Sequence, residues 1–179
     1  MNNLIWIDTE LTNLNFSSNK IVEIAVLVTD SNLNILDEGL DLIIFQNNDV
    51  LDNMDPWCVE QFSKTGLLDE IKKSKINTEM AEKMILNYLK KWTKKGESPI
   101  CGNSIGQDRK TLMREMPILE QQWLHYRSID VSSLKELILR WRPNIMKRVQ
   151  KKKSHRAMDD IIESIDELKL YRKYIFNQN

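Results

Sequence analysis

The chain has 179 residues, 41% hydrophobic and 29% charged, which suits one globular unit with a core of its own. Its 26 Lys and Arg balance 26 Asp and Glu, for a formal net charge of zero, and this argues against a protein that tracks long nucleic acid through a broad basic field. No run approaches the ~18–20 apolar residues of a membrane span.

The opening MNNLIWID lacks a basic region and an apolar h-region, so no secretion signal is expected. Leu4–Glu10 (LIWIDTE) reads as a buried strand whose end turns polar, and Ile21–Thr29 (IVEIAVLVT) as a second, β-branched one. Asp30 to Asn32 form a turn signal, and Asn34–Phe45 supplies a third strand. Asp55–Lys73 reads as one or two short helices broken near Gly66. A further helix is capped by Asn77 or Thr78, carries Met80, Met84, Tyr88, Leu89 and Trp92 as its apolar stripe, and stops at Gly96. Pro99–Gly102 is a short strand, and a helix from about Gly106 to Met116 ends at Pro117. Tyr126–Val131 is another strand, followed by a helix capped by Ser132 and running to Trp141. Arg142–Lys153 is a basic loop, and a last helix spans about Ser154 to Ile175 with Met158, Ile161, Ile165 and Leu168 inward. Nothing in composition divides the chain, so 1–179 reads as one α/β domain, a mixed sheet with helices packed on it. Cys58 and Cys101 form no CxxC pair, which fits a reducing cytoplasm.

Three segments carry chemistry. In WIDTE, Asp8 and Glu10 lie two apart on a strand and therefore share a face. Paired carboxylates at the end of an apolar strand either reach water or bind a hard divalent cation. In NSIGQD, Asp108 falls at a helix N-terminus, where the dipole favours an anion, while Asn103 and Ser104 can cap that helix or donate to a phosphate. In SHRAMDD, His155 precedes a helix whose first turns hold Asp159 and Asp160, and a histidine near carboxylates is suited to general-base work. Periodicity does not choose between Asp159 and Asp160, and each segment alone also reads as an ordinary strand end or helix start.

Taken together, LIWIDTELTNL, IVEIAVLVTDSNLNIL, CGNSIGQDRK, HYRSIDVSSLKEL and SHRAMDDIIESIDEL resemble, in order and nearly end to end, the oligoribonucleases of the DEDD exonuclease superfamily. The resemblance implies a ribonuclease H-like exonuclease fold, a five-stranded mixed sheet flanked by helices, in a homodimer. It implies 3′→5′ hydrolysis of very short RNA, dinucleotides above all, to 5′-mononucleotides. It selects Asp160 through the H-x4-D spacing from His155, so that Asp8, Glu10, Asp108 and Asp160 would hold two Mg²⁺ or Mn²⁺ ions with His155 as base. Leu14 then matches a wedge against the terminal bases and Trp57 a stacking partner, with ordinary core packing as the alternative for both. Ser104 and Ser132 match positions that enclose the 5′ phosphate, with Asn103 beside them, and Tyr126 and Arg127 match residues supplied by the neighbouring subunit. His125 reads as a loop histidine.

The chain departs from the family pattern in places. Thr9 stands where Leu is usual between the acids, and Asn13 replaces a Gly, which a left-handed backbone there would tolerate. Phe62 occupies the place of a phosphate-contacting His, and one extra residue lies between Pro117 and Tyr126. The alternatives are a related exonuclease acting on DNA or longer RNA ends, a non-catalytic module that holds short nucleotides, and a purely structural ion site.

Overall fold

The computed structural model describes residues 2–149 and 155–176. Its strands are β1 (Leu4–Leu11), β2 (Ile21–Thr29), β3 (Leu40–Ile43), β4 (Ile100–Gly102) and β5 (Ser128–Asp130). They form one five-stranded sheet in the order β3-β2-β1-β4-β5. β1 runs antiparallel to β2 and parallel to β4, giving the mixed α/β sheet expected from the sequence. The helices are α1 (Asn48–Asp52), α2 (Pro56–Thr65), α3 (Leu67–Lys73), α4 (Thr78–Leu89), α5 (Gly106–Glu115), α6 (Val131–Trp141), α7 (Pro143–Met146) and α8 (Ala157–Tyr171). No helix among the described residues is long and apolar enough to cross a membrane.

Strand alternation divides the core into two layers. Ile5 and Ile7 of β1 and Ile24, Val26 and Val28 of β2 face α4 and α5, packing with Ala81, Ile85, Leu89 and Leu112. Trp6 of β1 and Ala25 and Leu27 of β2 face the other way, against Val131 and Ile138 of α6 and Ala157, Ile161 and Ile165 of α8. All nine residues of β2 are buried, which explains why its sequence reads as a continuous apolar run rather than an alternation. Trp6 is fully buried, and its indole N–H finds Thr29 Oγ1 at 3.0 Å. Cys58 and Cys101 are buried free thiols.

Several expectations are corrected. The third strand is confined to Leu40–Ile43, with only an isolated bridge from Ile35 to Thr29 before it. Asp37 turns the chain away: it accepts from Tyr88 Oη (2.6 Å), Trp92 Nε1 (2.9 Å) and the Gly39 N–H (3.0 Å). α4 is capped by Asn77 as one of the two expected residues. Tyr88 and Leu89 face inward as expected, but Ala81 and Ile85 take the inward places expected for Met80 and Met84, which are 46% and 38% exposed. It ends at Leu89, well before Gly96. The cap of α6 is Asp130, which accepts the Ser132 N–H at 2.9 Å, because β5 runs into the helix without a spacer. Gly66, in the left-handed region at φ 79°, separates α2 from α3. The expected loop after α6 holds the short α7, while residues 150–153 and the expected helix cap Ser154 lie outside the described residues. α8 begins at Ala157 and passes into a π-helical turn at Arg172–Phe176.

Gly39 has φ 77°, and a Cβ there would lie 2.6 Å from Val26 O and 3.1 Å from Met158 Cε on α8. Gly39→Ala is therefore expected to lower unfolding free energy by about 1–3 kcal/mol, measured by urea denaturation. A variant within about 0.5 kcal/mol of the parent would contradict this account of the β3 entry.

Candidate active site

The site lies where β1 ends. Asp8 and Glu10 pair with Ala25 and Glu23 of β2, so these four side chains share the face covered by α8. The register shifts between Glu10 and Leu11, a bulge that releases the chain into the loop of residues 12–20. Leu14 lies on that loop, 81% exposed.

α8 brings the second half of the site. Its first turn carries Asp159 and Asp160. Ligand atoms of Glu10, His155 and Asp160 lie within 4.8 Å of one another, close enough to share one cation. Asp159 is exposed, among residues lining a surface groove with Glu163, Asp166 and Arg148. The helix geometry thus brings Asp160, and not Asp159, to Glu10 and His155. His155 has φ 49°, a conformation that costs a non-glycine residue about 1 kcal/mol or more. Trp57, near the start of α2, stands edge-on to its imidazole with ring centroids 5.5 Å apart. With Trp57 52% exposed and Leu14 more so, neither is a core residue.

Asp108 approaches from α5 on the opposite face of the sheet. Its Oδ1 accepts from the Thr9 N–H (3.0 Å) and from Thr9 Oγ1 (2.5 Å). Thr9, which reads in the sequence as a departure from the family pattern, is thus the residue that ties α5 to β1. A hydroxyl between two acids on an apolar strand was the signal for it.

Burial and mutual repulsion govern the electrostatics. Asp8 is held well above the usual carboxylate range by burial first, then by Asp108, Asp160, Glu10 and Glu23. Burial, with Asp160, Glu23 and Asp108, pushes Glu10 up to about 8. Asp108 is raised to about 6 by burial, against the opposing hydrogen bonds from Thr9. Packed carboxylates that resist ionisation, with an imidazole beside them, form a hard-donor set that a divalent cation relieves. The residues fit such an ion.

The remaining predicted residues flank this cluster or stand apart from it. Asp130 Oδ1, at the start of α6, accepts from Ser104 N (3.0 Å), Ser132 N (2.9 Å) and Ser132 Oγ (2.5 Å). Ser104 and Ser132 are thereby neighbours, with Oγ atoms 3.4 Å apart. Ser104, at φ 53°, takes the tight turn after β4, and α5 has no side-chain cap. Asn103 does not cap it either: its Nδ2 donates to Ser164 Oγ at 2.8 Å and to Glu167 Oε2 at 3.4 Å, joining β4 to α8.

Tyr126 and Arg127 precede β5, at the opposite end of that strand from Asp130, with the guanidinium 5.2 Å from the Tyr126 ring. Arg109 holds their loop. It donates from Nε to Glu120 (2.8 Å), from Nη1 to Tyr126 O (2.9 Å) and Ser128 Oγ (2.9 Å), and from Nη2 to His125 O (3.0 Å). Farther along α5, Arg114 donates to Phe16 O and Asn19 O of the loop bearing Leu14. Neither arginine is marked by the sequence reading. His125 is a loop residue whose Nδ1 accepts the Arg127 N–H. Between Pro117 and Tyr126 the chain forms a π-helical turn, Leu119–Trp123, which takes in one more residue than an α turn. Asn13 is not in the left-handed region and forms a local turn by accepting the Asn15 N–H at 2.9 Å. Phe62 is 1% exposed in a core with Val22, Leu67 and Ile71, so the aligned position faces inward.

Comparison with known proteins places the chain in a family. The exonuclease family model RNase_T matches residues 5–168. The oligoribonuclease of Vibrio vulnificus is 52% identical over 174 residues, covering 97% of this chain and 96% of the relative. That of Pseudoalteromonas atlantica is 49% identical over 175 residues, covering 98% and 96%. Among solved structures, exonuclease I from Methylocaldum szegediense superposes with a TM-score of 0.76 at 17% identity, over 99% of this chain and 42% of that one. A zinc-bound E. coli exonuclease I complex with single-stranded DNA gives 0.77 at 16%, again over 99% and 42%. The chain spans about two fifths of those enzymes, and at this identity the likeness concerns the ribonuclease H-like exonuclease fold alone. By family model and by near full-length identity, the chain belongs to the oligoribonucleases of the RNase_T exonuclease family.

Proposed function

We propose that the chain is a 3′→5′ exoribonuclease that hydrolyses very short oligoribonucleotides, dinucleotides above all, to 5′-mononucleotides. The observation that carries this reading is the approach of Glu10, Asp160 and His155 to within 4.8 Å, beside an exposed tryptophan. Asp8, Glu10, Asp108 and Asp160 would hold two Mg²⁺ or Mn²⁺ ions, since all four offer carboxylate oxygen. Bound there, such ions acidify a water and offset charge on the leaving 3′ oxygen. His155 accepts the proton of the attacking water, and the Trp57 ring beside it limits the directions in which the imidazole can turn. The α8 N-terminus directs its dipole at the acids and at the phosphate they serve.

Trp57 and Leu14 present exposed apolar surface on which unstacked bases can lie. Ser104, Ser132 and Asn103 bound the side toward β5 and enclose the 5′ phosphate. Tyr126 and Arg127 are exposed and lie at the end of β5 opposite Asp130. In a homodimer they supply the partner's site with an aromatic ring and a phosphate-binding guanidinium. A closed phosphate end favours two-nucleotide substrates, and zero net charge suits a ligand held by local contacts. The buried free thiols suit a reducing cytoplasm, and residues 1–179 act as one exonuclease domain.

Asp108→Ala, or removal of divalent ions by chelation, is expected to abolish dinucleotide hydrolysis in an initial-rate assay, and turnover near the parent rate in either case would defeat the metal mechanism. Arg127→Ala is expected to lower kcat/KM on a dinucleotide by about 10–100-fold, equivalent to the loss of a charged hydrogen bond. It should affect a five-nucleotide RNA less; equal losses on both substrates would remove the end-cap role. A pH dependence also follows. A carboxyl whose folded pKa is raised stabilises the fold while protonated, and that stabilisation is lost as pH rises from 4.5 through the raised value of about 8 for Glu10. The metal-free protein should therefore melt at progressively lower temperature across that window. Added Mn²⁺ should restore the melting temperature, and more so at the alkaline end, as scanning calorimetry would register.

A further inference from the structure

His155 lies just ahead of α8 in a left-handed conformation, and something must hold it there. The residue after it, Arg156, reaches down onto the sheet. Its Nε donates to Glu23 Oε1 at 2.8 Å and its Nη2 to Glu70 Oε2 at 2.9 Å. Glu23 is a fully buried residue of β2, paired directly with Glu10. Its other oxygen, Oε2, lies 3.4 Å from the Ala157 N–H, and Ala157 is itself fully buried. Glu70 belongs to α3, which follows the Trp57-bearing α2 across Gly66. The planar guanidinium is thus fixed by carboxylates on two different elements, at an angle its rigid fork dictates.

We propose that Glu23 and Arg156 form a part-buried tether that sets the orientation of His155, making both of them positioning residues for the proton-accepting step. The proposal rests on the reading of His155 as the base. An ion pair whose carboxylate is fully buried is a poor way to gain stability, because an apolar pair of similar volume does as well or better. What the pair supplies is direction. It grips the side chain of residue 156 and the backbone of residue 157, so residue 155 enters α8 with its dihedral angles fixed from one side. Trp57 meets the imidazole from another side, and Arg156 links that helix pair to the same anchor through Glu70. Loss of the tether frees His155 to relax out of its left-handed conformation and swing its ring away from Glu10 and Asp160.

The test is a double-mutant cycle on dinucleotide hydrolysis at saturating Mn²⁺. Glu23→Gln keeps the side-chain volume and weakens the grip; Arg156→Lys keeps the charge and loses the fork. Each is expected to reduce kcat roughly tenfold or more, within the range of a general-base contribution, with KM changed by less than about twofold. Made in a His155→Ala background, each should cost less than about a further twofold, since the tether then has no base to hold. The same fold loss in both backgrounds, or no loss in the parent, would overturn the proposal. If His155→Ala retains the parental kcat, the base assignment fails and the tether's role fails with it. A slow His155→Ala enzyme that still loses the full factor removes the tether alone. Should Glu23→Gln lose its melting transition, the Arg156→Lys cycle decides by the same criteria.

Discussion

Mutual repulsion among desolvated carboxylates is the constraint around which this molecule is built. Asp8, Glu10, Asp108 and Glu23 are each pushed above their ordinary range by burial. Left to themselves they would drive the end of β1 toward water. They stay because the elements carrying them are fastened elsewhere by the apolar layers on both faces of β2, and because Thr9 bonds Asp108 and Arg156 pairs with Glu23. The strain of assembling like charges is offset in the core, and a bound divalent cation would relieve it.

α5 extends this fastening to the periphery. From one ten-residue helix, Asp108 holds β1, Arg109 holds the loop carrying Tyr126 and Arg127, and Arg114 holds the loop carrying Leu14. The surfaces proposed to meet substrate are therefore braced from the element that carries a proposed metal ligand. A displacement of α5 would move all of them together.

Much of this is legible in the sequence, for identifiable reasons. β1 and β2 have long apolar runs that no helix-period pattern competes with, and their bounds come out almost unchanged. Where two apolar stripes offset by one residue compete, as on α4, periodicity points to Met80 and Met84 while packing chooses Ala81 and Ile85. The Ser132 cap fails because Asp130 and Ser132 are both good capping residues, and only the junction with β5 decides between them. Asp160 over Asp159 comes from resemblance, since both lie in the first turn of α8; in the structure it is Asp160 that lies near Glu10 and His155. The π-helical turn before β5 and the links made by Arg109 and Arg156 leave no mark in local sequence. They join residues many positions apart, and their partners are chosen by the fold.

That separation has a consequence for when activity can arise during synthesis. Thr9 meets Asp108 across 99 positions, and Arg156 meets Glu23 across 133. Contacts of such span close late, after the chain between them has been made and compacted. The β1–β2 hairpin can form early on the ribosome, yet it holds only half of the acids. A nascent or C-terminally clipped chain ending before residue 155 lacks both His155 and Asp160. With the acids and the base assigned as proposed, assembly from distant segments would work as a proof of completion, the nuclease staying silent until α8 has docked.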